Sequence, residues 1–163
     1  MRGERERPYI AVIGGDSPDD DSTATVAEAV GRLVAEAGGV VVCGGLGGVM
    51  AAACRGAKSA GGVTVGVLPG TDRRDANEWV DVALATGLGE ARNVLVVRAA
   101  DAVVAVGGEF GTLSELAFAL KTGVPVVGIG TWQLARRGQP VSAYAEASSA
   151  DDAVRLAMAM IAR

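Results

Sequence analysis

Short valine-rich segments alternate with glycine-containing turns and helical segments along almost the whole chain. This alternation is typical of a parallel sheet, because each parallel connection needs a crossover, which is usually a helix. The apolar segments are nearly continuous, which indicates strands that are buried on both faces. The sequence therefore predicts an α/β fold: one doubly wound, mostly parallel sheet in a three-layer sandwich that forms a single domain.

The predicted elements follow from the apolar runs and from the glycines and prolines that separate them. Predicted strands cover residues 9–13, 40–43, 63–68, 80–85, 102–106 and 124–129, with a short strand within 141–146. Predicted helices cover residues 22–37, 49–60, 90–99, 112–121 and 150–162. Ser22 is the expected N-cap of the first helix, and residues 71–78 and 131–140 are expected loops. The domain is predicted to cover residues 9–163, after a flexible charged lead-in at 1–8.

Composition limits the classes of function that the chain can have. Glycine supplies 24 of 163 residues, about twice the usual share, and we expect these glycines in loops. Half of the chain is hydrophobic and 21% is charged, so it can bury a core. The net charge of −4 without a basic cluster excludes generic nucleic-acid binding. No apolar run approaches the roughly 18 residues of a membrane span, so no membrane partner is expected.

The chain contains no histidine, which excludes catalytic triads, Cys–His pairs and histidine metal sites. Cys43 and Cys54 cannot form a zinc site alone, so no metal site is predicted. They are expected to be buried thiols of a cytoplasmic protein.

Three predicted strands end in glycine pairs: Gly14-Gly15, Gly44-Gly45 and Gly107-Gly108. In a doubly wound sheet, ligands bind beyond the carboxyl ends of the strands, near the point where the strand order reverses. The second and third pairs lead into helices, whose free N–H groups and dipole favour an anion such as phosphate. The alternative for each pair is a tight turn without a ligand. Two such turns at neighbouring strand ends favour the phosphate site.

Two common nucleotide motifs are not present. The segment that begins at Gly45 places Met50 where the third glycine of a dinucleotide fingerprint belongs, and the next strand ends in Leu68-Pro69-Gly70 without a ribose-binding acid. The glycine-rich Lys-Ser/Thr motif of P-loop proteins does not occur either. A standard NAD site and P-loop hydrolysis are therefore disfavoured.

Thr112 and Glu115 lie three residues apart at a predicted helix start, which is the spacing of a capping box. A functional Glu115 would instead lie within about one turn of a bound phosphate, where the two negative charges repel unless a cation intervenes. Arg92 is the candidate cation, and its alternative is a solvated arginine on a helix. The residues alone leave both alternatives open.

Three segments resemble the Lonely Guy (LOG) proteins: Cys43-Gly44-Gly45-Leu46-Gly47-Gly48-Val49-Met50, Arg92, and Gly107-Gly108-Glu109-Phe110-Gly111-Thr112-Leu113-Ser114-Glu115. The resemblance covers nearly the whole folded chain. It implies a homodimeric or higher oligomeric Rossmann-like fold and, for active members, phosphoribohydrolases that cleave the N-glycosidic bond of nucleoside 5′-monophosphates. The arginine and glutamate of the family motifs fall on Arg92 and Glu115, the expected catalytic residues.

The sequence also departs from the hydrolase pattern, since Val106 and Asn93 stand where hydrolases usually have proline and lysine. Two segments, Ala91-Arg92-Asn93 and Gly111-Thr112-Leu113-Ser114-Glu115, are more similar to the related branch that contains the molybdenum cofactor carrier proteins, which bind a phosphorylated pterin without chemistry. The resemblance thus implies a small phosphorylated ligand, either a nucleoside monophosphate or a phosphopterin such as molybdenum cofactor. The expected ligand-binding residues are Gly14, Gly15, Asp16, Ser17, Gly44, Gly45, Gly47, Gly48, Gly107, Gly108, Gly111 and Thr112.

Family members are often labelled lysine decarboxylases, and the residues argue against that activity. Pyridoxal chemistry needs a Schiff-base lysine. Lys58 and Lys121 both lie near predicted helix C-termini, where a cation complements the helix dipole. No required cofactor is therefore expected.

Overall fold

The computed structural model describes residues 7–17 and 21–161. The strands are β1 Tyr9–Ile13, β2 Val40–Cys43, β3 Val63–Leu68, β4 Val82–Ala85, β5 Ala102–Val106, β6 Val126–Ile129, β7 Ala135–Arg136, β8 Gln139–Pro140 and β9 Ala145–Glu146. The helices are α1 Asp21–Glu36, α2 Gly48–Ser59, α3 Asn93–Arg98, α4 Phe110–Thr122 and α5 Ala150–Ile161. Single 3-10 turns occupy Arg73–Asp75 and Gly89–Arg92.

Seven strands form one sheet in the order β4-β3-β2-β1-β5-β6-β9, and every pairing in it is parallel. The chain builds outward from β1 to β4 and then returns to β5 on the other side of β1. At this reversal, Ile10 pairs with Val41 of β2 and with Ala102 of β5. The predicted doubly wound α/β fold is confirmed, and its switch point lies between β1 and β5.

Helices cover both faces of the sheet, as the continuous apolar strands predict. Ile10 and Val12 belong to a core shared with α1, α2 and α5, whereas Ala11 and Ile13 belong to a core shared with α3 and α4. This alternation along β1 reflects the two-residue repeat of a strand. The three-layer arrangement is therefore confirmed. Among the described residues, no helix is long and apolar enough to cross a membrane.

Two of the many glycines lie inside helices rather than in the loops that the composition suggests. Gly31 lies inside α1, and a Cβ there would lie 1.9 Å from the Ala53 carbonyl oxygen of α2. Gly56 of α2 would meet the Glu28 carbonyl oxygen at the same distance. These two helical glycines allow the α1 and α2 backbones to touch, so the expectation that glycines mark loops is wrong for them.

Several predicted boundaries also differ. Ser22 lies inside α1 rather than at its cap, and α4 begins two residues earlier than predicted, at Phe110. The predicted loop 131–140 contains the β7–β8 hairpin. Of the predicted lead-in, residues 1–6 lie outside the described residues, and the Pro8 carbonyl oxygen accepts a hydrogen bond from the Val40 N–H. Cys43 and Cys54 are free and buried, as expected.

Candidate functional site

A cavity of about 520 Å³ lies beyond the carboxyl ends of β1 and β2, against the start of α4, which follows β5. This is the switch point of the sheet. The structure brings eight of the predicted site residues together in its lining: Gly14, Gly15, Asp16, Gly44, Arg92, Gly111, Thr112 and Glu115. Within the described chain, the other predicted site residues lie in the same turns but outside this lining: Ser17, Gly45, Gly47, Gly48, Gly107 and Gly108.

Arg92 is buried beneath the turn after β2, with only 8% of its surface exposed. Its Nη2 donates to the Gly44 carbonyl oxygen at 3.3 Å, and its Nη1 donates to Asn93 Oδ1. A Cβ at Gly44 would lie 2.6 Å from Arg92 Nη2, so a side chain at this position would displace the guanidinium from its present place. The alternative of a solvated helix arginine is therefore wrong.

Asn93 connects Arg92 to α4. Asn93 Nδ2 donates to Ser114 Oγ at 3.1 Å, and Ser114 Oγ donates to the Gly111 carbonyl oxygen at 2.7 Å. The network holds the Arg92 guanidinium in a fixed orientation toward the start of α4. The sequence marks Asn93 only as a departure from the hydrolase pattern, and nothing in it reveals this positioning role.

Glu115 faces the cavity from the second turn of α4 and is 6% exposed. Burial raises the pKa of its carboxyl to about 7, because water no longer stabilises the charged form, and the nearby Arg92 guanidinium opposes part of that rise. Both the protonated and the ionised carboxyl are therefore populated near neutral pH.

The capping-box alternative for Thr112 and Glu115 is wrong, because Glu109 is the N-cap of α4 and Thr112 lies within its first turn. Thr112 is 2% exposed, and its Oγ1 has no hydrogen-bond partner among the described residues. A buried hydroxyl without a partner costs about 1–3 kcal/mol. A ligand in the cavity that accepts from this hydroxyl removes that cost.

The two predicted anion-binding helix starts differ. At α2, the Gly47 N–H donates to Asp16 Oδ1 at 2.9 Å, so a carboxylate of the chain already occupies that position. At α4, no side chain caps the helix, and the N–H groups of its first turn have no intrahelical partner. The start of α4 is therefore the more open of the two positions for an anion.

Sequence reasoning missed several lining residues. Glu90, Glu109 and Phe110 contact the cavity, as do Met50 and Phe118. With Asp16 and Glu115, the two missed glutamates give the lining an excess of acid over its cation, Arg92. Glu109 and Phe110 lie within the glycine-rich motif, which is the signal that could have drawn attention to them. The described residues contain no group of three or more acidic, cysteine or histidine side chains arranged for a metal ion.

The family follows from comparison with known proteins. A model of the SLOG cluster4 family matches residues 7–158. The chain belongs to the SLOG cluster4 family. An uncharacterized protein of Archaeoglobus fulgidus is 47% identical over 121 residues, which cover 74% of this chain and 78% of that one.

Two solved structures resemble this SLOG protein over nearly its full length. The molybdenum cofactor binding protein of the phototrophic bacterium Rippkaea orientalis is 35% identical, with a TM-score of 0.87 over 97% of this chain and 99% of that one. The molybdenum cofactor carrier protein of Chlamydomonas reinhardtii is 32% identical, with a TM-score of 0.84 over 97% and 100%. The predicted resemblance to the LOG-like branch that contains these carriers is confirmed.

Proposed function

We propose that this protein binds a phosphorylated pterin, of the molybdenum cofactor type, as cargo and does not transform it. The observation that carries the proposal is the nearly full-length match to one protein that binds molybdenum cofactor and to another that carries it. The match favours this function over the phosphoribohydrolase that the LOG motifs imply first.

The cavity suits such a cargo. Its volume of about 520 Å³ lies within the usual range of small-molecule sites, about 300–1,000 Å³. We infer that the phosphate lies at the start of α4, where it accepts from first-turn N–H groups and from Thr112 Oγ1 while Arg92 supplies the opposite charge. The described lining offers no thiolate or imidazole. The chain would therefore hold the cargo by its organic part rather than by its metal.

A second candidate, hydrolysis of a nucleoside 5′-monophosphate, is favoured by one observation: a buried carboxyl, Glu115, faces the cavity near a buried cation. In that reaction, ionised Glu115 would stabilise positive charge on the sugar as the N-glycosidic bond breaks, and Arg92 would orient Glu115 and the phosphate. Water would supply the hydroxyl group to the sugar and the proton to the departing base, so the products would be free base and ribose 5-phosphate.

One experiment separates these functions. Native mass spectrometry of the protein purified from its own host should detect a retained phosphopterin. The same protein incubated with purine, pyrimidine and cytokinin monophosphates should release no free base. If the unmodified protein releases free base and Glu115→Gln abolishes this release, the hydrolase becomes the supported function in place of the carrier.

Thr112→Val should weaken phosphate binding about tenfold or more, because the variant keeps the side-chain shape but cannot donate to a charged oxygen. Thermal shift titration with ribose 5-phosphate measures this, since a ligand of the native state raises the melting temperature. Thr122→Val is the matched control: it lies at the far end of α4, where its hydroxyl donates to the Phe118 carbonyl oxygen at 2.8 Å. Equal shifts for the two variants would contradict the site.

We also propose a two-fold dimer through α3 and α4. The proposal rests on the apolar residues that these two helices carry on several faces, more than one core-facing stripe requires. Among them, Val97 and Leu116 face the core, whereas Leu95 is 41% exposed. Val94, Leu113, Phe118 and Leu120 are half-buried. Light scattering should give about twice the 16.3 kDa chain mass, and Leu95→Arg should halve it. A monomer at micromolar concentration for the unmodified chain would exclude the dimer.

A further inference from the structure

The cavity is more acidic than a phosphate site requires. Asp16, Glu90 and Glu109 are exposed carboxylates in its lining, and Glu115 adds a fourth carboxyl, against Arg92 as the cation of the described lining. Carboxylates repel phosphate, but ionised carboxylates accept hydrogen bonds at both oxygens. The excess of acceptors indicates that another part of the ligand carries hydrogen-bond donors.

Glu109 is the best placed of these acceptors. Its backbone is fixed, because its carbonyl oxygen accepts from the Leu113 N–H at 3.0 Å and from Trp132 Nε1 at 3.2 Å. Its carboxylate does not cap α4 and lies across from Gly15, where a Cβ would be 3.8 Å from Glu109 Oε1. The anchored backbone thus presents to the cavity a carboxylate that has no hydrogen-bond partner within the described part of the chain.

Phe110 follows directly and supplies an aromatic face. It is 79% exposed, lines the cavity, and contacts Trp132 with ring centroids 5.5 Å apart and planes tilted by 41°. The contact with Trp132 leaves most of the Phe110 side chain exposed. A planar heterocycle can stack on such a face.

Thr112, which is 2% exposed and whose hydroxyl has no hydrogen-bond partner among the described residues, lies in the same helical turn. Under the proposed function this hydroxyl binds the phosphate. Because Glu109, Phe110 and Thr112 share one turn, a ligand held there by its phosphate can bring its ring against the other two side chains.

We propose that Glu109 and Phe110 select the ring of the ligand: the ring stacks on Phe110 and donates two parallel N–H groups to the Glu109 carboxylate. The 2-amino-4-oxopyrimidine edge, which pterins and guanine share, presents such a pair of donors. Adenine presents a donor beside an acceptor, and hypoxanthine lacks the amino group. This inference rests on the proposed function and its phosphate site, and it adds the residues that recognise the ring and the edge of the ring that they bind.

Calorimetric titrations with GMP, IMP and ribose 5-phosphate test it, in Mg²⁺ and again in EDTA. The unmodified protein should bind GMP about tenfold or more tightly than IMP, because a charge-assisted pair of hydrogen bonds is among the stronger polar contacts. Glu109→Gln should remove this preference and leave ribose 5-phosphate binding unchanged. Glu78→Gln, which removes an exposed carboxylate outside the cavity lining, is the matched control and should keep the preference.

Phe110→Leu keeps an apolar side chain but removes the ring. It should weaken GMP and IMP binding alike by about fivefold or more, with ribose 5-phosphate again unchanged. Three results would overturn the ring proposal while the phosphate site stands. They are equal affinities for GMP and IMP, GMP binding that is lost in EDTA, and a loss of ribose 5-phosphate binding in the variants that matches their loss of GMP binding. If neither ribose 5-phosphate nor inorganic phosphate binds the unmodified protein, the proposed function fails, and the ring proposal fails with it.

Discussion

Glu115→Gln should gain stability relative to the unmodified protein as the pH rises, by about 3 kcal/mol between pH 4.5 and pH 8. The folded chain holds the Glu115 proton up to a pKa of about 7, whereas the ordinary value is 4.5. Between these values the folded state binds a proton that the unfolded state has lost. The contribution of Glu115 to stability is therefore complete below pH 4.5 and declines by about 1.4 kcal/mol per pH unit until pH 7. Glutamine does not titrate, so the stability of Glu115→Gln does not include this decline with pH.

Urea unfolding of both proteins at intervals from pH 4.5 to pH 8 measures the effect. Glu109→Gln is the matched control, because it removes an exposed carboxylate from the N-cap of the same helix without altering a buried one. Its effect should stay within about 0.5 kcal/mol, as for other surface substitutions. Parallel curves for the unmodified protein and Glu115→Gln across this range would show that the buried carboxyl does not carry the predicted cost.

The sheet could be predicted closely because each buried strand is an apolar run that ends at glycine, proline or a charged residue. β1, β2, β3 and β5 have the predicted bounds. Helix starts were harder, because α4 begins after Glu109, which makes no side-chain cap. In the absence of a typical N-cap residue, the hydroxyl of Thr112 is the more obvious candidate.

The β7–β8 hairpin could not be predicted for a related reason. Its turn places Arg137 and Gly138 at φ values of 51° and 76°. Both central residues of the tightest hairpin turn have positive φ, a conformation that usually requires Asn, Asp or Gly. Arginine at the first position hides the turn, and exposed strands of two residues carry no apolar repeat.

The motifs predicted the position of the site but not the side-chain contacts within it. Strand ends and glycine pairs locate Gly14, Gly44, Thr112 and Glu115, because topology alone brings these turns together. The contacts that orient Arg92 depend on side chains from two helices, and a single sequence does not show which of them meet. The same is true of the acidic lining, whose members come from separate turns.

Arg92→Met should reduce affinity for ribose 5-phosphate by about 30-fold to a few thousandfold. This corresponds to the roughly 2–5 kcal/mol that is lost when one partner of a buried charged pair is truncated. The methionine preserves much of the buried volume, while the cavity loses Arg92, the cation among its described lining residues. Titration calorimetry measures the loss. Arg74→Met is the control. The Arg74 side chain is 89% exposed and pairs with Asp72, and neither residue lines the cavity.

Removal of Arg92 should also raise the pKa of Glu115 further, because the guanidinium opposes the effect of burial on that carboxyl. The loss of stability with rising pH should therefore continue to higher pH in Arg92→Met than in the unmodified protein, and its total should be larger. The double variant Arg92→Met, Glu115→Gln removes both charges and should fold at pH 8. Its affinity for ribose 5-phosphate should remain as low as that of Arg92→Met. If Arg92→Met folds and binds within threefold of the unmodified protein, the phosphate does not depend on Arg92. The anion would then have to be held by the first turn of α4 and Thr112 alone.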